Sequence, residues 1–207
     1  VNFADARVKF HFAEFGDGAK LFERIRVNGP IFDFRRVVFG NGKVDFRRAI
    51  FGKGFVTFEE SEINTGKLTF RMARFDGGDL SFRRTDFGQD EANFDHADFN
   101  NRSITFEGAD VSVLSMSNSF IRGNLDLRIK KAEKIDLSHS YLYSITDLNF
   151  QKEDSLKSLS LLGVRNLGKI IIRWKENQVR RLIEGNGGEP MHYHAKYDKE
   201  FVNTNLA

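Results

Sequence analysis

The chain has 207 residues, of which 40% are hydrophobic and 29% are charged, and its formal net charge is +3 at pH 7. This composition excludes a wholly disordered chain and is typical of one domain with a short appendage. The sequence contains no cysteine, which excludes disulfide frameworks, thiolate zinc sites and cysteine nucleophiles, and favours a cytoplasmic location.

The N-terminal segment, VNFADARVKF, has neither the basic region nor the apolar core of a secretion signal. No apolar run approaches the ~20 residues that a membrane-spanning helix needs, so we expect no membrane span in this chain. The chain begins inside a repeat and without an initiator Met, which suggests that it is part of a longer protein.

Phenylalanine accounts for 22 of the 27 aromatic residues, a bias that indicates one structural slot filled repeatedly. The first slot has a twelve-residue period: Phe10, Phe22, Phe34, Phe46, Phe58, Phe70, Phe82, Phe94 and Phe106. A second large apolar residue follows five positions later: Phe15, Val27, Phe39, Phe51, Ile63, Phe75, Phe87, Phe99 and Val111. A small or β-branched residue, such as Ala13 or Ala49, lies two positions before the second slot. We predict that these slots form the core.

The stretches between the repeats are rich in glycine and asparagine, as in GDG at 16–18, GNG at 40–42 and DGG at 76–78. These residues adopt positive φ at little steric cost, so they predict a corner in each repeat. Such clusters would break a helix in every repeat. The pattern therefore predicts short parallel strands joined by regular corners, which is a solenoid.

The unit F-x-x-A-x-F, as in 46–51 and 94–99, resembles the pentapeptide repeat, whose pattern is A-(D/N)-(L/F)-x-x. The resemblance covers residues 3 to about 150, although the spacing here alternates between five and seven. It implies an all-β solenoid: a right-handed, quadrilateral parallel β-helix with two extra residues bulging at every second corner.

Two coil sizes fit the period, a square coil of 24 residues and a triangular coil of 12. In the slot after the first Phe, every second repeat reads His11, Arg35, Glu59, Arg83 and Glu107. A 24-residue coil stacks opposite charges in this slot, whereas a 12-residue coil places Arg35 beside Arg47. Because opposite charges on neighbouring strands are favourable by roughly 0.2 to 1 kcal/mol per pair, we predict the square coil, with some six coils in all.

Beyond Phe106 the inward slots tighten to steps of about five residues, at Val111, Met116, Ile121, Leu127, Ala132, Leu137 and Leu142. This spacing predicts coils of about twenty residues. The regular repeat ends at Phe150, so we assign 1–150 to the β-helix and 151–174 to a terminal coil with a last strand at Ile170 to Trp174. A solenoid end must be covered to prevent edge-to-edge association. We predict that 175–207 is a small, partly flexible and truncated helical segment that covers this end, similar to bacterial pentapeptide-repeat proteins in which helices follow the β-helix.

No motif of catalysis or cofactor binding is present. His192 and His194 lack a third metal ligand at clear spacing, and His96 and His139 occupy outward slots. The glycine corners match neither phosphate-binding fingerprint, and a convex rod offers little pocket for an acid and base pair. We expect no enzyme activity, no cofactor, no metal and no small-molecule substrate.

Some pentapeptide-repeat proteins mimic DNA and inhibit type II topoisomerases through acidic columns. Residues 1–150 contain 22 basic and 22 acidic residues, so this charge argues against such a mimic. A candidate interaction surface, basic enough to consider nucleic acid, comprises Arg24, Arg35, Arg36, Arg47, Arg48, Arg83 and Arg84. Acidic residues such as Glu59 and Glu60 interrupt it and favour a charge ladder that sets the register instead.

The sequence therefore favours a structural and interaction module, a rigid scaffold presenting flat faces to a protein partner. The alternative is a sensory or regulatory domain of a larger, membrane-linked protein. The sequence leaves the partner and the oligomeric state open.

Overall fold

The structure is a computed structural model that describes residues 1–3, 5–64, 66–150 and 155–173. The strands pair in parallel with the strand one coil later, in a register of 24 positions, as between Phe32 and Val56 or Leu80 and Ile104. This register confirms the all-β, quadrilateral β-helix and the square coil of 24 residues. Seven strands in each of two sheets give about seven coils, one more than the sequence indicated.

Three parallel sheets form three of the four faces; the strands are numbered along the chain. The first sheet contains Val8–Lys9 (β1), Ile31–Asp33 (β4), Phe55–Thr57 (β7), Asp79–Ser81 (β10), Ser103–Thr105 (β13), Asn124–Ile129 (β16), Ile145–Phe150 (β19) and Lys169–Arg173 (β22). The second sheet contains Lys20–Leu21 (β2), Val44–Asp45 (β5), Leu68–Thr69 (β8), Glu91–Asn93 (β11), Asp110–Ser115 (β14), Lys131–Asp136 (β17) and Ser158–Ser160 (β20). The third sheet contains Arg26–Val27 (β3), Ile50–Phe51 (β6), Arg74–Phe75 (β9), Asp98–Phe99 (β12), Phe120–Ile121 (β15), Tyr141–Leu142 (β18) and Arg165–Asn166 (β21).

The fourth face is a column of single parallel bridges, which we call the bridge column. It links Glu14, Val38, Glu62, Asp86 and Asp110. Each coil passes from the first sheet to the bridge column, then to the second sheet and the third sheet. This order defines four corners and places the first and third corners of a coil diagonally opposite each other.

Two kinds of corner alternate around the coil. Glycine corners, such as 40–42 and 52–54, carry the two extra residues of the seven-residue step. The other two corners, which we call Phe corners, begin at the first-slot Phe and have positive φ two residues later, as at Arg36 (55°) and Arg48 (56°). The sequence indicated positive φ only at glycine and asparagine. Non-glycine residues keep this positive φ because their backbone N–H groups donate to the next coil, as from Arg36 to the backbone carbonyl oxygen of Glu59 at 2.9 Å.

From Phe34 onward, the residue before the first-slot Phe supports the Phe corner, a feature that was not predicted from the sequence. Its side chain accepts a hydrogen bond from the backbone N–H two residues later, an arrangement typical of Asx and Ser/Thr turns. Asp33 accepts from Arg35 at 3.0 Å, Thr57 from Glu59 at 3.2 Å and Asn93 from Asp95 at 3.1 Å. The corner is thus fixed by a short polar residue on one side and a buried ring on the other.

Ladders of parallel Phe rings run along the core. The ladder from Phe22 through Phe46 and Phe70 to Phe94 has centroid separations of 4.7, 4.8 and 5.0 Å, with interplanar angles of 3° to 7°. A second ladder contains Phe10, Phe34, Phe58, Phe82 and Phe106. Rings of the two ladders meet edge to face, as do Phe58 and Phe70 at 5.5 Å and 82°. The repeated Phe therefore satisfies stacking within a ladder and edge contacts between ladders.

The predicted core residues are buried, with exceptions in the first coil. The buried members are Phe34, Phe39, Phe46, Phe51, Phe58, Phe70, Phe75, Phe82, Phe87, Phe94, Phe99 and Phe106. Phe10, Phe15 and Phe22 pack against the core but are only partly buried. The physical reason is that, among the described residues, no further coil lies over the first one.

The later coils are shorter, as expected, but not as short as twenty residues. Ala92 pairs with Leu114 and Ile104 with Leu125, which gives registers of 22 and 21 positions. The register returns to 24 between Thr146 and Ile170. Strands β20 to β22 continue all three sheets beyond Phe150. The predicted helical segment, 175–207, lies outside the described residues.

Candidate functional site

The outward side chains offer interaction surfaces more clearly than reaction centres. In the described ranges, no group of three or more His, Asp or Glu side chains is arranged to hold a metal ion. His96 is exposed and lies at a Phe corner with positive φ; His139 is also exposed with positive φ, at the equivalent corner that begins at Leu137. The same part of the chain contains no helix that is long and apolar enough to cross a membrane.

The seven arginines of the predicted interaction surface lie at Phe corners, but on two opposite edges of the rod. Those of the corner after the first sheet are Arg35, Arg36, Arg83 and Arg84, and those of the corner after the second sheet are Arg24, Arg47 and Arg48. Because these corners are diagonally opposed, the structure does not bring the seven side chains together into one basic patch.

Carboxylates neutralise most of these arginines. Glu60 lies between Arg36 and Arg84 of the neighbouring coils, at 2.6 and 3.3 Å. The hydrogen bond from Arg36, followed by the contact with Arg84, lowers the pKa of Glu60. One position earlier, Arg83 pairs with Glu107 at 3.2 Å. This edge of the rod is the charge ladder that the sequence offered as the alternative to a basic patch.

Two arginines are held within their own corners by buried carboxylates. Arg35 donates to both oxygens of Asp33, at 2.9 and 2.6 Å, and Arg47 contacts Asp45 at 2.8 Å. Burial alone would raise the pKa of Asp33, but the hydrogen bonds from the side chain and backbone of Arg35 outweigh it and lower the pKa below its usual value. At Asp45, burial also favours a higher pKa, but the hydrogen bonds from Arg47 and Lys43 outweigh it and lower the pKa.

These lowered pKa values predict how the free energy of unfolding changes with pH in the acid range. A carboxyl whose folded pKa lies below its unfolded value of about 3.9 takes up protons preferentially in the unfolded chain. Its stabilising contribution is therefore present above about pH 4 and is lost as the pH falls further. We expect the free energy of unfolding, measured by urea denaturation, to be nearly constant from pH 7 to 5 and to fall below about pH 4.

The double variant Asp33→Asn with Asp45→Asn should show a shallower decline below pH 4. Asparagine keeps the acceptor of the corner, as Asn93 does, but does not titrate. Asp79→Asn, on an exposed residue, is the matched control and should leave the slope unchanged. An identical acid slope for the double variant and the wild-type chain would contradict the assignment.

A second surface, which we call the aromatic–arginine strip, lies at the C-terminal end of the third sheet. It consists of Phe120, Arg122, Tyr141, Tyr143, Arg165 and Leu167 on or directly beside β15, β18 and β21. The rings of Phe120 and Tyr141 stack at 4.9 Å and 15°. Leu167 is 65% exposed, and Phe120 and Tyr143 are each about 40% exposed. Large apolar groups are thus concentrated on one flat face.

The two guanidinium groups of the strip lie over its rings. The Cζ atom of Arg165 is 5.2 Å from the ring centroid of Tyr141, and that of Arg122 is 5.8 Å from Phe120 and 5.9 Å from Tyr143. Arg122 also pairs with Asp98. In the part of the chain that the structure describes, Arg165 has no carboxylate within ion-pair distance. The strip is therefore both apolar and positively charged.

The strip was not predicted, although the sequence contains a signal for it. Ile121 and Leu142 occupy predicted inward slots, so the residues before them, Phe120 and Tyr141, face outward because side chains alternate along a strand. Aromatic residues at equivalent outward positions of successive coils indicate a surface rather than a core. No protein-family model matches this chain, and no sequence among the curated proteins matches it.

Proposed function

We propose that this protein is a non-enzymatic scaffold, a rigid β-helix that presents flat faces for binding to another protein. The observation that carries this proposal is the aromatic–arginine strip on a flat sheet face. Tyr and Arg are enriched in the central residues of protein interfaces. Small-molecule sites are typically concave, whereas the strip lies on an outward sheet face.

Rigidity is supported by the core and by the backbone. Continuous ring ladders link the first five coils, and hydrogen bonds join each coil to the next through the strands and through the Phe corners. A face on such a rod keeps its geometry when it binds, which reduces the entropy lost on association. This property suits a platform for a partner.

We also propose that the chain is a variant of the pentapeptide repeat. The quadrilateral coil, the inward Phe of the first slot and the small buried residue at positions such as Ala49 and Ala97 support it. The charges alternate along the Phe corner after the first sheet, and neither Phe corner forms an acidic column, so a DNA mimic is disfavoured. The regulatory module of a membrane-linked protein stays a prediction.

Photo-crosslinking tests the scaffold function directly. A photoreactive phenylalanine analogue replaces one exposed residue on each face: Asp79, Glu62, Lys67 and Arg74. Irradiation of cells of the source organism should then join the full chain to the same protein partner from one or two faces only, which mass spectrometry identifies. The absence of protein adducts from all four faces, or turnover of a substrate by the purified chain, would contradict a scaffold.

A further inference from the structure

We infer that the aromatic–arginine strip binds an acidic segment of a partner protein that also carries apolar side chains. This inference rests on the proposed scaffold function and names the surface and the chemistry of its partner. It depends on three observations: the exposure of the strip, the coverage of its ring faces and its unbalanced positive charge.

The way in which the central ring, Tyr141, is covered disfavours a ligand that stacks on it. Tyr141 lies on the middle strand, with Phe120 stacked from the coil before and Arg165 placed over it from the coil after. A nucleic-acid base or a sugar ring needs a free aromatic face to stack on, and Tyr141 offers none without displacing a neighbour. Phe120 and Tyr143 remain partly exposed, so the edges of these rings, which carry the positive end of the quadrupole, can contact a partner.

The charge of the strip selects an acidic partner. Arg165 contributes a cation that no described carboxylate neutralises, and the Asp98 side chain balances only Arg122. Lys169, two residues after Leu167, begins β22 of the first sheet and adds an exposed cation on the other side of the corner that borders the strip. Carboxylates of a partner can reach these groups at the same time as its apolar side chains cover Leu167 and Tyr143.

The size of the strip favours a short segment over a second copy of the chain. Three strands at a spacing of about 4.8 Å give a length of about 10 Å, and a width of three residues gives an area on the order of 100 Å². A stable interface between folded subunits buries about 800 Å² on each partner. The strip is therefore suited to a few residues of a partner, held mainly by Tyr143 and Arg165.

Peptide selection on the full chain tests the inference. Random dodecapeptides displayed on phage are selected on the wild-type protein after depletion on the double variant Tyr143→Ser with Arg165→Gln. We expect a consensus that combines Asp or Glu with aromatic or aliphatic residues. A synthetic peptide of this consensus should bind the double variant about tenfold or more weakly, as loss of two central interface residues predicts.

Arg26→Gln is the matched control, because Arg26 occupies the same outward column at the other end of the third sheet, and it should leave the affinity unchanged. Thermal melting should show that all variants fold. A basic consensus, no enrichment, or equal binding by the double variant would overturn the inference. So would strip-dependent dimerisation in sedimentation, which indicates a second copy, or strip-dependent binding of oligothymidylate. Crosslinking from another face, with failed peptide selection, would leave the scaffold function standing and reject only this site.

Discussion

Phe70→Ala should lower the free energy of unfolding by about 3 to 5 kcal/mol, the cost of removing a fully buried ring. Phe70 has no exposed surface and stacks between Phe46 at 4.8 Å and Phe94 at 5.0 Å. It also meets Phe58 and Phe82 edge to face. The neighbouring rings are held by their own ladders and cannot move in to fill the space. Urea unfolding followed by circular dichroism measures the effect.

Phe12→Ala is the matched control for this substitution. The Phe12 side chain is 60% exposed and contacts His11 and the guanidinium of Arg36 outside the core. We expect a loss of less than about 1 kcal/mol, as for most surface substitutions. Equal destabilisation by the two variants, or an unchanged unfolding curve for Phe70→Ala, would show that the ladder is not the spine of the fold.

The fold was predictable because one interaction repeats along the chain. The strict period that includes Phe34 and Phe58 identified the core positions. The opposite charges of Arg83 and Glu107, 24 residues apart, indicated the coil size, and the two side chains form an ion pair. Coil lengths after Phe106 were less accessible, because apolar residues such as Leu125 and Leu127 no longer mark one slot. In these coils the strands lengthen to six residues, as in β14. One continuous strand then replaces a bridge of the bridge column, a short strand of the second sheet and the glycine corner between them, which shortens the coil.

The candidate site was harder to predict because exposure is a property of neighbouring coils. The sequence placed Arg36 and Arg48 in equivalent slots, which suggested one patch, but slots twelve residues apart lie on opposite edges of a 24-residue coil. Glu60 then neutralises Arg36 from the next coil. Phe120 was difficult to recognise as a surface residue because most Phe residues of this chain are in the core. The strand register pairs it with Tyr141, and this pairing places the two rings together on the outer surface.

Gly78→Ala should lower the free energy of unfolding by about 2 to 4 kcal/mol, from strain at positive φ and from a forced shift of the backbone. Gly78 lies at a glycine corner with φ +73°, and a Cβ atom there would be 2.2 Å from the Gly54 oxygen of the coil before. Gly54 stands in the same relation to Gly29, at 2.1 Å. The obstructing atoms are backbone and belong to a stacked coil, so no side-chain rotation relieves the clash.

Gly16→Ala separates this effect from the general consequence of removing a glycine. Gly16 has open space where its Cβ would lie and no positive φ, so alanine should leave stability unchanged or raise it by about 0.4 to 1 kcal/mol through the unfolded chain. Urea midpoints of the two variants, measured side by side, give the comparison. Because coil contact passes through Gly78, its substitution should also expose the corner amide of Arg102, which donates to the Gly78 oxygen, to faster hydrogen exchange. Equal midpoints for the two variants would mean that the coils do not stack as closely at this corner as the structure has them.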